Sequence, residues 1–129
     1  MKKIISTKAL SKIISKLKSK GKKVVLCHGV FDLLHIGHIK HFKEAKGMGD
    51  VLVVTITQDK YVNKGPNRPI FSLNTRMESI AALSDVDYVA PNIFTNAAQL
   101  IKMLKPNIYC KGKDYRNYNL DITDQIKKE

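Results

Sequence analysis

Apolar residues recur at Leu10, Ile13, Ile14 and Leu17. This i, i+3, i+4, i+7 spacing predicts an amphipathic helix over 6–20 with a strongly basic outer face. Ser6 or Thr7 can cap its start and Gly21 can end it. The pattern then tightens into short apolar runs. Lys22–Cys27 reads as a buried parallel strand, closed by Gly29. A second helix is predicted from near His35 to Lys46, ended by Gly47-Met48-Gly49. Asp50–Thr57 (DVLVVTIT) is a second strand, and Gln58–Ser72, with Gly65, Pro66 and Pro69, is a loop. Asn74–Leu83 reads as a helix capped by Ser72 or Asn74. Val86–Ala90 is a strand, Asn96–Leu104 a helix stopped near Pro106, and Asn107–Lys111 a further strand. The tail from Gly112 is polar.

Strands alternate with helices throughout. That order predicts an α/β fold, a Rossmann-like parallel sheet with helices on both faces. Ligands of such sheets sit beyond the carboxyl ends of the strands, where strand order reverses. The segment Gly29–His38 follows the first strand and is expected at that place. With 129 residues the chain is expected to form one domain: a basic helix over 1–21, a core over 22–118 and a tail over 119–129.

Composition narrows the class. A 43% hydrophobic and 26% charged chain is that of an ordinary globular protein. No apolar run approaches the roughly 20 residues that span a bilayer. The N-terminus is basic throughout and lacks a signal-peptide apolar core. Cys27 and Cys110 are the two cysteines, both in apolar contexts, so a reduced, cytoplasmic protein is expected, with no membrane partner. The net charge of +12 raises nucleic acid as a partner, but lysine supplies 20 of the 23 basic residues. Arginine is the usual choice for bidentate recognition, and no RNA-binding signature is visible. A solvated lysine face beside a site for small anions fits better.

The candidate chemistry lies in CHGVFDLLHIGHIKH, Cys27 to His41. His35, His38 and His41 fall within seven residues. A helix start offers free N–H groups and partial positive charge, and so binds phosphate. Gly37 lets a ligand approach the backbone. His35 and His38, at i and i+3, share one face of the first turn. Neither the dinucleotide glycine fingerprint nor the phosphate-loop pattern is present. Zinc is disfavoured, because no CxxC pair accompanies the histidines.

GVFDLLHIGHIKH resembles the first signature of the HxGH nucleotidyltransferase superfamily, in its cytidylyltransferase-like branch. Further similarities follow in order: Lys64 and Arg68 in NKGPNRP, Arg76 in NTRMESIAAL, Asp85–Tyr88 as VD-x-V, and Lys111–Tyr115 as KG-x-DY. Together they cover roughly residues 22–118. Within the branch the chain resembles both glycerol-3-phosphate cytidylyltransferases and the adenylyltransferase domain of ADP-heptose synthases.

The resemblance implies that CMP or AMP moves from CTP or ATP to a phosphorylated sugar or polyol. Pyrophosphate leaves with the aid of a divalent cation, usually Mg²⁺, and no covalent enzyme intermediate forms. It implies catalytic roles for four residues: His35 and His38 donating to phosphate oxygens, Lys64 neutralising phosphates, and Arg76 holding the β- or γ-phosphate. Arg68 and Lys40 are further phosphate contacts. Asp32 would orient a base, a ribose or a metal-bound water, and Asp114 would contact the nucleotide. Gly29, Val30 and Phe31, in the turn, and Gly37 would bind the nucleotide, with Gly29 and Val30 offering backbone groups. No side chain is assigned as a direct metal ligand. A homodimer is a family-level expectation.

Simpler roles stand beside these. Asp32 and Asp114 are also natural turn residues, Arg76 a natural helix-surface ion-pair partner, and Lys64 and Arg68 natural solvated loop charges. His28 reads as a strand-end histidine, His41 as ordinary. The family's second signature, an ISTT-like segment after the last strand, has no counterpart before the chain stops at DITDQIKKE. A C-terminally truncated chain, weakly active or inactive alone, is the expectation. Alternative functions are a nucleotide-binding regulatory module and a basic nucleic-acid-binding domain.

Overall fold

The computed structural model describes residues 2–62 and 69–111. Lys64, Arg68, Asp114 and the tail over 119–129 lie outside the described residues.

Helix α1, Thr7–Ser19, starts where Ser6 Oγ accepts from the Ala9 N–H at 3.1 Å. It buries Leu10 and Ile14 and ends at Gly21, whose φ of +79° suits glycine. Strand β1, Val24–Gly29, lies two residues later than the apolar run suggests. The Lys22 N–H still closes the helix end on the Leu17 carbonyl, and pairing with β2 carries β1 on to Gly29. Helix α2, Ile36–Lys46, has His35 as its N-cap, and strand β2, Val51–Ile56, follows. A short 3-10 turn at Asp59–Tyr61 opens the stretch read as loop. Helix α3, Leu73–Ala81, is capped by Ser72 and ends two residues before the predicted Leu83. Strand β3, Tyr88–Pro91, helix α4, Ala97–Leu104, and strand β4, Ile108–Lys111, complete the order. Asn96 caps α4, and Lys105 leaves it in the left-handed region at φ 51°.

The four strands form a parallel sheet in the order β3-β2-β1-β4. Side chains alternate across each strand. Val24 and Leu26 pack with Leu10 and Ile14 of α1 and with Leu100, Ile101 and Leu104 of α4. Val25 and Cys27 pack with Phe42 and Ala45 of α2 and with Met77 and Ile80 of α3. Each face of the sheet is thus covered by two helices, as the alternation of elements predicts. Residues 3–5 run along β3: the Ile5 N–H donates to the Val89 carbonyl, and the Val89 N–H to that of Lys3. That pairing closes an otherwise open sheet edge.

The chain moves from β1 outward through β2 to β3, then returns to β4 on the other side of β1. Strand order therefore reverses between β1 and β4. The turn carrying the histidines leaves the carboxyl end of β1 at this switch.

Candidate functional site

The turn after β1 is built around a strained residue. Phe31 takes φ 51°, a left-handed conformation disfavoured for a bulky side chain. Its ring is buried, edge-on to Phe42 at 5.2 Å and to the His38 ring at 5.5 Å between centroids. Burial of that ring holds the turn in place. A Cβ at Gly29 would lie 2.9 Å from the ring, so the strand must end in glycine for Phe31 to fold back over it.

His35 and His38 cap the helix they introduce. The Gly37 N–H donates to His35 Nδ1 at 3.0 Å, and the His35 N–H donates to His38 Nδ1 at 3.2 Å. The two side chains form a reciprocal capping box in which imidazole replaces the usual hydroxyl and carboxylate. A ring nitrogen that accepts a hydrogen bond carries no proton, so a neutral ring bears its proton on Nε2. Both rings therefore present an Nε2–H at the helix start. Their centroids lie 4.1 Å apart, tilted by 39°. His35 is exposed and His38 half-buried. A Cβ at Gly37 would lie 2.7 Å from His35 Cε1, so the capping geometry requires glycine there.

Other residues named from sequence fall in two groups. Lys40 is exposed on α2, one turn beyond the cap. Asp32 and Arg76 face inward. Asp32 Oδ2 accepts from the Ile70 N–H at 2.7 Å and Oδ1 from the Phe71 N–H at 2.8 Å. The Arg76 side chain is fully buried. It donates from Nε to the Phe71 carbonyl at 3.1 Å and from Nη1 to those of Val30 at 2.9 Å and Thr57 at 2.7 Å. Its Nη2 meets Asp59 Oδ1 at 2.5 Å. The expected phosphate contact from Arg76 thus meets a guanidinium turned into the protein. The Val30 carbonyl is taken by Arg76, and the Gly29 carbonyl accepts from the Thr57 N–H at 3.0 Å.

Periodicity does not reveal several residues that shape this end of the sheet. Asp59 is the counterion of Arg76, 17 residues upstream. His28, one residue beyond the predicted strand, has Nδ1 2.9 Å from Thr55 Oγ1 and Nε2 3.4 Å from Thr57 Oγ1. Burial lowers its pKa to about 4, with a hydrogen bond at Thr55 acting in the opposite sense. Asn92 is buried and folds its own loop, donating to the Asn96 carbonyl and accepting from the Phe94 N–H. Asp87, inside the VD-x-V strand motif, acts instead at the amino end of the sheet, where it accepts from the Leu52 N–H and pairs with Lys46 at 2.5 Å. His41 faces the core, and burial lowers its pKa. Cys27 and Cys110 are register partners on β1 and β4, both buried as thiols. Their mutual hydrogen bond and burial hold the Cys27 thiol well above its ordinary range.

Known proteins place this geometry. Residues 26–127 match the cytidylyltransferase-like family. Bifunctional protein HldE of Aliarcobacter butzleri is 39% identical over 123 residues, 92% of this chain and 26% of that protein. The Sulfurimonas denitrificans protein of the same name is 44% identical over 114 residues, 87% of this chain and 24% of that protein. The chain thus spans about a quarter of the length of these relatives. Among solved structures, the lipopolysaccharide core biosynthesis protein of Thermoplasma volcanium superposes with a TM-score of 0.69 at 33% identity. That alignment covers 84% of this chain and 88% of the other. Pantoate-beta-alanine ligase of Francisella tularensis shares the fold, with a TM-score of 0.61 at 21% identity, over 84% of this chain and 56% of the other. The family match, extending from β1 through the histidine turn and beyond β4, makes this chain a member of the cytidylyltransferase-like family.

Proposed function

We propose that this chain transfers a nucleotidyl group from CTP or ATP to a phosphorylated sugar or polyol, releasing pyrophosphate. The observation that carries the reading is the histidine capping box at the switch point. It holds two Nε2–H donors side by side at a helix start, which itself favours negative charge. An acceptor phosphate oxygen attacks the α-phosphorus. The bond from that phosphorus to the bridging oxygen breaks, and pyrophosphate leaves with the electron pair. Such transfer needs positioning and charge stabilisation more than proton transfer. His35 and His38 donate to α- and β-phosphate oxygens as charge builds there. Donors preorganised in this way are worth about 3 kcal/mol each in the transition state.

Lys64, Arg68 and Lys40 supply further positive charge to the phosphates in this reading, and Asp114 contacts the nucleotide. A divalent cation fits as a partner carried on triphosphate oxygens and water, which is the habit of Mg²⁺. Among the described residues no three His, Cys, Asp or Glu side chains cluster. Asp32, at the end of the turn after β1, would orient a water bound to the cation. When bound, the cation neutralises phosphate charge. Likeness to a lipopolysaccharide core biosynthesis protein favours a sugar phosphate as acceptor.

The test is pyrophosphate release by the purified chain with Mg²⁺, CTP or ATP, and a panel of sugar and polyol phosphates. Release that requires both a triphosphate and an acceptor is expected. Silence across every pair, together with no thermal shift on adding CTP or ATP with Mg²⁺, would overturn the reading.

A further inference from the structure

We infer that Arg76 is a positioning residue, whose buried guanidinium sets the histidine turn, and that it does not contact phosphate. The inference rests on the nucleotidyl-transfer reading for its consequence and on geometry for its substance. Arg76 binds three carbonyls that lie past the ends of regular elements: Val30 after β1, Thr57 after β2 and Phe71 before α3. None of these has a strand or helix partner in its own element, and a partly buried carbonyl left bare is costly. A planar fork of donors meets all three at once, which an ammonium group does not. Asp59, half-exposed, balances the buried charge. Were the side chain to swing out to a phosphate, three carbonyls and a side-chain-sized void would remain.

Asp32 completes the tie. It accepts the Ile70 and Phe71 N–H groups, while Arg76 takes the Phe71 carbonyl. Phe71 is thus held from both sides, by Asp32 in the turn and by the arginine that also holds Val30. These bonds fix the Val30–Asp32 turn against the ends of β2 and α3. His35 follows three residues later. Displacing the turn moves both histidine donors relative to the α-phosphorus, which lowers kcat rather than nucleotide binding.

The test uses the full chain with Asp59→Asn, Arg76→Lys and Arg76→Ala. Two readouts are taken: kcat and nucleotide KM for pyrophosphate release, and hydrogen exchange of the peptide spanning 29–41. Arg76→Ala is expected to lose about a hundredfold in kcat, the scale of a 1 Å misplacement, with nucleotide KM within about threefold. Millimolar guanidinium should restore at least about tenfold, and methylammonium should not. Arg76→Lys should not rescue kcat. Asp59→Asn, at a half-exposed position, should lower kcat and speed exchange at 29–41, with circular dichroism checking that the variant folds.

Three results would overturn the inference. One is a loss confined to nucleotide KM. Another is activity raised by Asp59→Asn, as if an arginine were released toward phosphate. The third is unchanged exchange at 29–41 in Asp59→Asn. If the unmodified chain releases no pyrophosphate and gives no thermal shift with CTP or ATP, the nucleotidyl-transfer reading fails, and exchange at 29–41 alone decides whether Arg76 sets the turn.

Discussion

His35 and His38 divide their ring nitrogens between two tasks. Nδ1 of each caps the first turn of α2, and Nε2 of each faces away from the cap. The two tasks separate by substitution. Asparagine is a strong N-cap and alanine a poor one. His35→Ala is expected to lower unfolding free energy by about 1 kcal/mol, and His35→Asn by a few tenths. Chemical denaturation of both variants measures the difference. Equal losses would show that the His35 ring does not cap.

At this scale the sequence was informative about identity and silent about direction. The HIGH spacing, with glycine between, locates the histidine turn correctly. Nothing local tells that Arg76 points inward. Its partners Thr57 and Val30 lie 19 and 46 residues away, and the Asp32–Ile70 bond spans 38. Periodicity reads neighbours along a helix face, whereas these bonds form after the strands have assembled.

Among the elements, β1 shows how pairing extends what hydrophobicity begins. The apolar run ends at Cys27, yet the strand continues through His28 and Gly29, paired with Thr55 and Ile56 of β2. A histidine is tolerated there because threonine hydroxyls meet both its nitrogens. The placement has a pH consequence. Burial lowers the His28 pKa from 6.5 to about 4. An unfolded chain takes up a proton below pH 6.5 that the folded chain refuses until about pH 4. Stability therefore falls as pH drops through that window and levels below it. The full effect is of order 3 kcal/mol. His41, also lowered by burial, acts with the same sign. Urea denaturation of wild type and His28→Gln across pH 4–7 checks this. The slope should flatten in the variant; an unchanged slope would remove His28 as its source.

Across the whole molecule, the lysines at the end of α1 lie away from the site. Thr7 Oγ1 donates to the Pro91 carbonyl at the carboxyl end of β3. Helix α1 then runs back over the sheet, and its end leads directly into the amino end of β1. Lys16, Lys18 and Lys20 are exposed at that far end. A six-residue strand spans about 20 Å, well beyond the Debye length of about 8 Å at physiological salt. Lys16→Glu with Lys20→Glu should therefore leave nucleotide KM within about twofold at 0.15 M salt. A larger rise would mean that the basic helix serves the site. The parallel sheet and its two covered faces were legible because helical periodicity alternating with short continuous apolar runs encodes them directly. The strand order β3-β2-β1-β4, which creates the switch point, follows from chain crossings that no local pattern records.

In the proposed function the paired histidines at the start of α2 carry nucleotidyl transfer. The most direct measurement follows ³¹P NMR of the chain with Mg²⁺, CTP or ATP and a sugar phosphate, beside its His35→Asn, His38→Asn double variant. A diphosphate-linked product and pyrophosphate in equal amounts are expected from the unmodified chain, and their loss is expected in a double variant that remains folded. Undiminished turnover by the folded variant, or orthophosphate in place of pyrophosphate, would contradict the proposed function.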